Sequence, residues 1–213
     1  MSEISSFTEA GEQGSPEWLA ARVGNVTCSR FKDVLAVLKN GKPSEKRNTY
    51  LWEVVIERLT GKSAEHYTSV AMDWGTNTEP LARMRYEAVT GAMVAEVGFI
   101  HHPSIKLCGG SPDGCIDDDG AIEIKCPFNS ANHLQTIMGG MPEEHLPQVQ
   151  GVMAVTGRKW LDFISFDPRL PPEYQMYVQR IPRDDRYISA METQIIAFLA
   201  EVETTLISLA EAK

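Results

Sequence analysis

The stretch from Gly110 to Phe128, GSPDGCIDDDGAIEIKCPF, constrains the fold more than any other part of the chain. Its turn, Asp117 to Gly120, separates two short apolar runs and predicts a β-hairpin. Pro112-Asp113 precedes the first strand, whereas Glu123 and Lys125 lie two apart on the second strand and therefore share a face. The hairpin is thus expected to bring two carboxylates and one ammonium group together at one end.

The residue types at this end of the hairpin suit a metal-dependent phosphodiesterase. Mg²⁺ prefers oxygen ligands and takes one or two carboxylates with waters and substrate phosphate, and Asp113 and Glu123 offer such carboxylates. The carbonyl of Ile124 is a candidate third ligand, and Lys125 can orient the nucleophile or stabilise developing negative charge. The alternative is a surface hairpin with a solvated Glu-Lys pair, because both motifs are short.

Length and composition favour one globular domain, since 43% of the 213 residues are hydrophobic. No apolar run approaches the length of a membrane helix, and the polar, acidic start does not resemble a signal peptide. The four cysteines form no Cys-x-x-Cys pair. We therefore expect no zinc or iron–sulfur site and interpret the cysteines as small side chains in a reducing cytosol.

The net charge of −9 argues mildly against nucleic-acid binding, because such domains usually carry a basic face. It does not exclude a basic channel inside an acidic exterior. Any single basic residue is also compatible with an ordinary solvated surface. The basic residues concentrated early in the chain are Arg22, Arg30, Lys32, Lys39, Lys42, Lys46 and Arg47.

Hydrophobic periodicity predicts a mixed central sheet flanked by helices, an α/β fold in a single domain. Residues 1–15 are interpreted as a loose N-terminal tail and residues 16–213 as the domain. The predicted helices cover residues 16–23, 31–38, 50–59, 72–89, 132–138, 143–155 and 184–212. The predicted strands cover residues 94–100, 114–116, 121–126, 160–166 and 173–181.

Further side chains are candidates for the same site. Glu79, on a predicted helix, is a third acid for a second metal ion or its waters, or otherwise an ordinary exposed glutamate. Gln148 and Gln150 lie two apart on a helix and face different ways, so at most one is expected in the site. Arg22 can bind a terminal phosphate through its rigid fork of donors.

Taken together, these residues resemble the phage lambda exonuclease family of viral recombination nucleases, within the restriction-endonuclease-like PD-(D/E)xK superfamily. The resemblance covers most of the chain, from near Glu12 to near Ile188. The matching blocks are Glu12-Gln13-Gly14 with Trp18, Leu19 to Gly24, Thr27-Cys28-Ser29, Trp74-Gly75 with Glu79, Ser111 to Gly114, Glu123 to Phe128, Gln148 to Gln150 and Phe166 to Arg169.

This resemblance implies a restriction-endonuclease-like fold and a 5′→3′ exonuclease that acts on linear double-stranded DNA. Such an enzyme releases 5′-mononucleotides and leaves a 3′ single-stranded tail. The implied cofactor is Mg²⁺, as a pair of ions that Mn²⁺ can replace. The implied assembly is a homotrimeric ring around a basic channel. The implied partner is a phage single-strand annealing protein in the bacterial host cytoplasm.

The resemblance also implies a role for each matched residue. The implied catalytic residues are Glu79, Asp113, Glu123, Lys125 and Gln148. Asp113 and Glu123 bind metal together with the carbonyl of Ile124. Arg22 takes the 5′-phosphate, with Ser29 as a neighbouring contact and Lys39 on a loop that tracks the duplex. Lys39 and Ala131 each stand where the family prototype has an arginine, so the contacts with DNA should differ at these two positions.

Two other functions remain compatible with these residues. A structure-specific or sequence-specific endonuclease on the same fold would share the metal site but would have no use for a terminal-phosphate arginine such as Arg22. An inactive DNA-binding ring that only recruits the annealing protein would not require an intact set of Asp113, Glu123 and Lys125.

Overall fold

The computed structural model describes residues 9–63 and 69–212. Within these ranges the chain forms seven α-helices and eight β-strands. The helices are α1 (Pro16–Arg22), α2 (Phe31–Val34), α3 (Glu45–Thr60), α4 (Val70–Thr90), α5 (Ser130–Gly139), α6 (Leu146–Thr156) and α7 (Asp185–Glu211). The strands are β1 (Glu9–Ala10), β2 (Val26–Thr27), β3 (Phe99–His101), β4 (Cys108–Gly110), β5 (Gly114–Ile116), β6 (Gly120–Lys125), β7 (Trp160–Phe166) and β8 (Met176–Pro182).

The strands form two four-stranded sheets, in the orders β1-β3-β4-β2 and β5-β6-β7-β8. The predicted α/β class is confirmed, but the structure has two mixed sheets where we expected one. β1, β2 and β4 were missed because strands of two or three residues are too short to show a periodic pattern. β4, with the sequence Cys-Gly-Gly, also has few side chains to alternate.

The N-terminal segment from Glu9 onward belongs to the fold. β1 pairs antiparallel with β3, and the side-chain amide of Gln13 donates to the carbonyl of Pro112 at 2.8 Å. The interpretation as a loose tail is therefore wrong for residues 9–15, because backbone pairing and a side-chain hydrogen bond tie this segment to the domain. The remainder of the predicted tail, residues 1–8, lies outside the described residues.

The second sheet is packed on both faces, which positions the predicted hairpin. β5 and β6 pair antiparallel as expected, around a turn in which Asp117 adopts a left-handed conformation with φ 45°. Along its other edge, β6 pairs with β7 in the parallel orientation. Ile122 and Ile124 of β6 pack with Ala82 and Tyr86 of α4. The residues of β6 that alternate with these two isoleucines therefore point to the opposite face, against which α6 packs.

Helix α7 packs on the larger of the two hydrophobic cores. By length and composition alone it is apolar enough to cross a membrane, but one side of it packs inside the domain against α3 and α6. The buried residues along this side are Ile188, Met191, Ile195, Phe198 and Val202. Phe198 stacks on Tyr50 of α3 with ring centroids 5.5 Å apart. α7 is therefore a core helix of this domain.

Candidate active site

Asp113 and β6 meet where the hairpin ends, as the sequence predicts. The Asp113 carboxylate accepts a hydrogen bond from the backbone N–H of Ile124 at 2.6 Å. This contact continues the β5–β6 ladder beyond its last pair, Gly114 with Ile122. Because the N–H and C=O of one strand residue point to the same side, the Ile124 carbonyl is directed towards the Asp113 side of β6. The Asp113 carboxylate and the Ile124 carbonyl, both candidate metal ligands, thus lie beside the same edge of β6.

Glu123 is buried, with 1% of its surface exposed, and is held by two neighbours. Its Oε1 accepts from Lys125 Nζ at 2.6 Å and from Gln148 Nε2 at 2.5 Å. Lys125 also donates to Gln148 Oε1 at 3.3 Å. Burial and the charge of Asp113 raise the pKa of Glu123 to about 8, even though Lys125 opposes that shift. The three residues form one closed hydrogen-bonded triangle.

Glu79 joins this group from helix α4. Burial and the charge of Asp113 raise the pKa of Glu79 to about 7, so the two carboxylates share one electrostatic environment. Arg83, one turn along α4, donates to Glu79 Oε1 at 3.1 Å and also pairs with Glu96. Arg83 therefore fixes the orientation of the Glu79 carboxylate.

The donor set fits a divalent cation. The second oxygen of Glu123, Oε2, is buried and has no hydrogen-bond partner among the described residues, which leaves its lone pairs available to a ligand. The pKa of each acid, Asp113 included, is raised mainly by burial, which the charge of Lys125 opposes but does not cancel. Within residues 9–63 and 69–212, no three Asp, Glu, His or Cys side chains form a ready-made metal cluster. Two carboxylates, the Ile124 carbonyl and waters are the set that Mg²⁺ accepts.

Arg22 lies in a separate cavity of 240 Å³ that Asn25, Thr27 and Ser29 also line. Its guanidinium stacks on the Trp18 ring, with Cζ 4.3 Å from the centroid. Among the described residues we find no hydrogen bond or ion pair to this guanidinium. Burial lowers the pKa of Arg22, and the charge of Glu57 in the same cavity opposes that shift. The Arg22 guanidinium thus presents N–H donors in this cavity that no described residue engages.

The remaining predicted residues separate into two groups. Ser29 is exposed at the rim of the Arg22 cavity, whereas Lys39 lies in an exposed loop and does not line it. Of the two glutamines, only Gln148 enters the site, as the spacing predicts. Gln150 is buried and instead donates to the carbonyl of Pro182 at 3.0 Å.

The sequence analysis assigned no role in the site to Arg83, and it named Arg30, Trp18 and Ser111 without predicting their contacts. Arg83 is four residues after Glu79, a spacing at which helical side chains meet, so that pair was readable in principle. Arg30 lines the Arg22 cavity, but its guanidinium is engaged by Asp33 at 2.5 Å and by Glu53 at 2.8 Å. The bond from Trp18 to Ser111 spans 93 positions of sequence, and no local pattern signals it.

The sequence and the fold were compared with known proteins. The model of the YqaJ-like viral recombinase domain matches residues 17–159. The crystal structure of LHK-Exo, an alkaline exonuclease from Laribacter hongkongensis, is 46% identical and has a TM-score of 0.85, covering 93% of this chain and 97% of that one. The structure of LHK-Exo in complex with dAMP is 45% identical over the same shares, with a TM-score of 0.87.

A more distant structure shares the fold alone. The phage-related exonuclease from Haemophilus somnus 129PT is 16% identical, with a TM-score of 0.67, and the match covers 87% of this chain and 96% of that one. No curated protein sequence matches this chain.

Proposed function

We propose that this chain, which belongs to the YqaJ-like viral recombinase family and is a nuclease of the exonuclease type, digests linear double-stranded DNA from its 5′ ends. The products are 5′-mononucleotides and a 3′ single-stranded tail. The observation that carries this proposal is the Arg22 guanidinium, which lines a cavity separate from the carboxylate site and has no hydrogen bond or ion pair with any described residue. The complex of LHK-Exo with dAMP supports a nucleoside monophosphate as product.

The chemistry follows from the four side chains around β6. Asp113 and Glu123, with the Ile124 carbonyl, would hold the divalent ions, Mg²⁺ or Mn²⁺. The bound metal supplies Lewis acidity that activates water and offsets phosphate charge. Gln148 keeps Glu123 Oε1 and Lys125 Nζ in fixed positions, so Glu123 Oε2 is left available to a metal ion. Lys125 then orients the attacking water or stabilises the charge that develops on phosphate.

Directionality comes from the Arg22 cavity. A 5′-phosphate bound by Arg22 and Ser29 places the next phosphodiester at the carboxylate site, and each cut exposes a new 5′-phosphate for the same arginine. An endonuclease has no use for such an anchor, because internal phosphodiesters carry no terminal phosphate. The terminal phosphate anchor therefore favours the exonuclease over the endonuclease on the same fold.

The proposal is tested with linear duplex DNA labelled at its 5′ or its 3′ ends, next to a covalently closed circle. With Mg²⁺ or Mn²⁺ we expect 5′ label to appear as mononucleotide, the circle to stay intact, and EDTA to stop the reaction. Cutting of the circle, or internal fragments from the linear DNA, would establish the endonuclease instead. Binding without any cleavage would establish the inactive ring.

Replacement of Arg22 should mainly affect phosphorylated ends. Arg22→Ala removes the donor fork, and we expect a loss of about 10-fold or more in kcat/KM on 5′-phosphorylated duplex, with little change on 5′-hydroxyl duplex. Arg186→Ala, in the first turn of α7, is the matched control for loss of a positive charge. Equal losses on the two kinds of end would remove Arg22 from the phosphate pocket.

We further propose a homotrimeric ring whose channel collects the basic residues of the α2–α3 loop, which include Lys39 and Lys42. The arrangement reconciles DNA binding with a net charge of −9, because the outer surface can stay acidic. The 3′ tail would pass to a phage single-strand annealing protein in the host cytoplasm.

A further inference from the structure

Two side chains outside the catalytic set, one on helix α1 and one shortly before it, hydrogen-bond to the segment that precedes Asp113. The indole N–H of Trp18 donates to the Ser111 hydroxyl at 2.8 Å. The side-chain amide of Gln13 donates to the Pro112 carbonyl at 2.8 Å. Both acceptors lie within two residues of Asp113, and neither donor has a part in the proposed chemistry.

The same tryptophan supports the phosphate anchor. Trp18 and Arg22 lie one turn apart on α1, and the guanidinium rests on the indole face. Ser15 caps this helix by accepting from the Trp18 backbone N–H at 3.1 Å. A Cβ on Gly11 would come within 2.7 Å of both Ser15 Oγ and Trp18 N. The entry to α1 is therefore closely packed, which leaves little freedom for the helix to slide.

One short series of contacts thus connects the proposed phosphate anchor, Arg22, with the proposed metal ligand Asp113. It runs from the Arg22 guanidinium through the Trp18 ring and the indole N–H to Ser111, and then along the backbone to Asp113. Gln13 adds a parallel link at Pro112. The separation between the anchored 5′-phosphate and the metal-binding carboxylate is consequently set by these side chains.

We propose that Trp18 and Gln13 are positioning residues that set the cleavage register, which is the number of nucleotides removed per cut. This inference rests on the proposed anchoring of the 5′-phosphate by Arg22. Successive phosphates of one strand rise by about 3.4 Å along the duplex axis and are farther apart along the strand itself. A displacement of Arg22 relative to Asp113 by one such nucleotide step lets the second phosphodiester reach the carboxylates, and the product then becomes a dinucleotide.

The test uses the full-length protein with Trp18→Phe, Gln13→Leu and the double variant. Phenylalanine keeps an aromatic face under Arg22 but has no N–H for Ser111, and leucine keeps the approximate size of Gln13 without its donor. The 5′-labelled products of phosphorylated duplex are separated by length, and kcat/KM is measured on 5′-phosphate and 5′-hydroxyl ends. Trp52→Phe, at a half-exposed tryptophan of α3, is the matched control.

We expect the wild type and Trp52→Phe to release mononucleotides only. The double variant should release dinucleotides as well, and its preference for 5′-phosphate ends should fall about five-fold, in line with the loss of neutral hydrogen bonds. Ser111→Ala removes the acceptor without touching α1. Its effect should not add to that of Trp18→Phe, because both break one contact.

A different pattern overturns the inference. Unchanged product length with an unchanged end preference would show that these contacts do not set the register. An equal loss of rate on both kinds of end, again with mononucleotides only, would show a merely structural role. A wild type that has no 5′-phosphate preference, or that releases no mononucleotides, would instead refute the proposed function itself.

Discussion

An Asp113→Ala variant is expected to lose at least about 99% of the nuclease activity while it still binds duplex DNA. Asp113 is the carboxylate bound to the Ile124 N–H at 2.6 Å, and its charge acts on Glu123, whose Oε2 has no hydrogen-bond partner among the described residues. Its removal takes away one of two carboxylate ligands, whereas phosphate contacts elsewhere stay intact. Digestion of labelled duplex measures the first effect, and a binding assay without metal measures the second.

The same variant should lose the stabilisation that a divalent ion gives. Mg²⁺ that binds only the folded wild type raises its melting temperature, and Asp113→Ala should show no such rise. Asp119→Ala is the matched control, because Asp119 belongs to the same hairpin but pairs at the surface with Lys159 at 2.7 Å. Residual turnover above about 1% of wild type would exclude Asp113 as an essential ligand.

A Phe198→Ala variant is expected to lose about 3–5 kcal/mol of unfolding free energy. The Phe198 ring is fully buried, stacks on Tyr50 and lies under the guanidinium of Arg47, whose Cζ is 5.0 Å from its centroid. Truncation to alanine leaves a cavity between α7 and α3 that these neighbours cannot fill. Urea unfolding at one fixed protein concentration measures the effect.

Ile196→Ala provides the comparison on the same helix, because Ile196 is 54% exposed. We expect its unfolding free energy to change by no more than about 0.5 kcal/mol. A similar small change for Phe198→Ala would mean that α7 contributes little to the core. A large loss in both variants would mean that the outer side of α7 is also buried in solution.

The proximity of Asp113, Glu123 and Lys125 was predictable from the sequence because its geometry is local. The turn at Asp117 to Gly120 fixes the pairing of β5 with β6, and the two-residue period places Glu123 and Lys125 on one face. Helical geometry likewise predicts that at most one of Gln148 and Gln150 enters the site, whereas the choice of Gln148 came from the family resemblance. In each case the residues that decide the outcome are close in the chain or share one element.

The rest depends on contacts between distant segments. The first sheet combines β1, β2, β3 and β4, strands of two or three residues drawn from both ends of a span of about a hundred residues, so local patterns do not reveal their pairing. The bond from Trp18 to Ser111 and that from Gln13 to Pro112 cross the same span. These contacts become visible only once the tertiary fold is known.

The parallel pairing of β6 with β7 bears on when this protein becomes active during its synthesis. Glu123 lies opposite Phe163 and is held by Gln148, which follows it by 25 residues. A nascent chain that has emerged only as far as Lys125 therefore has neither the strand nor the glutamine that hold the carboxylate in place. We expect translation intermediates to be inert towards DNA until β7 has left the ribosome.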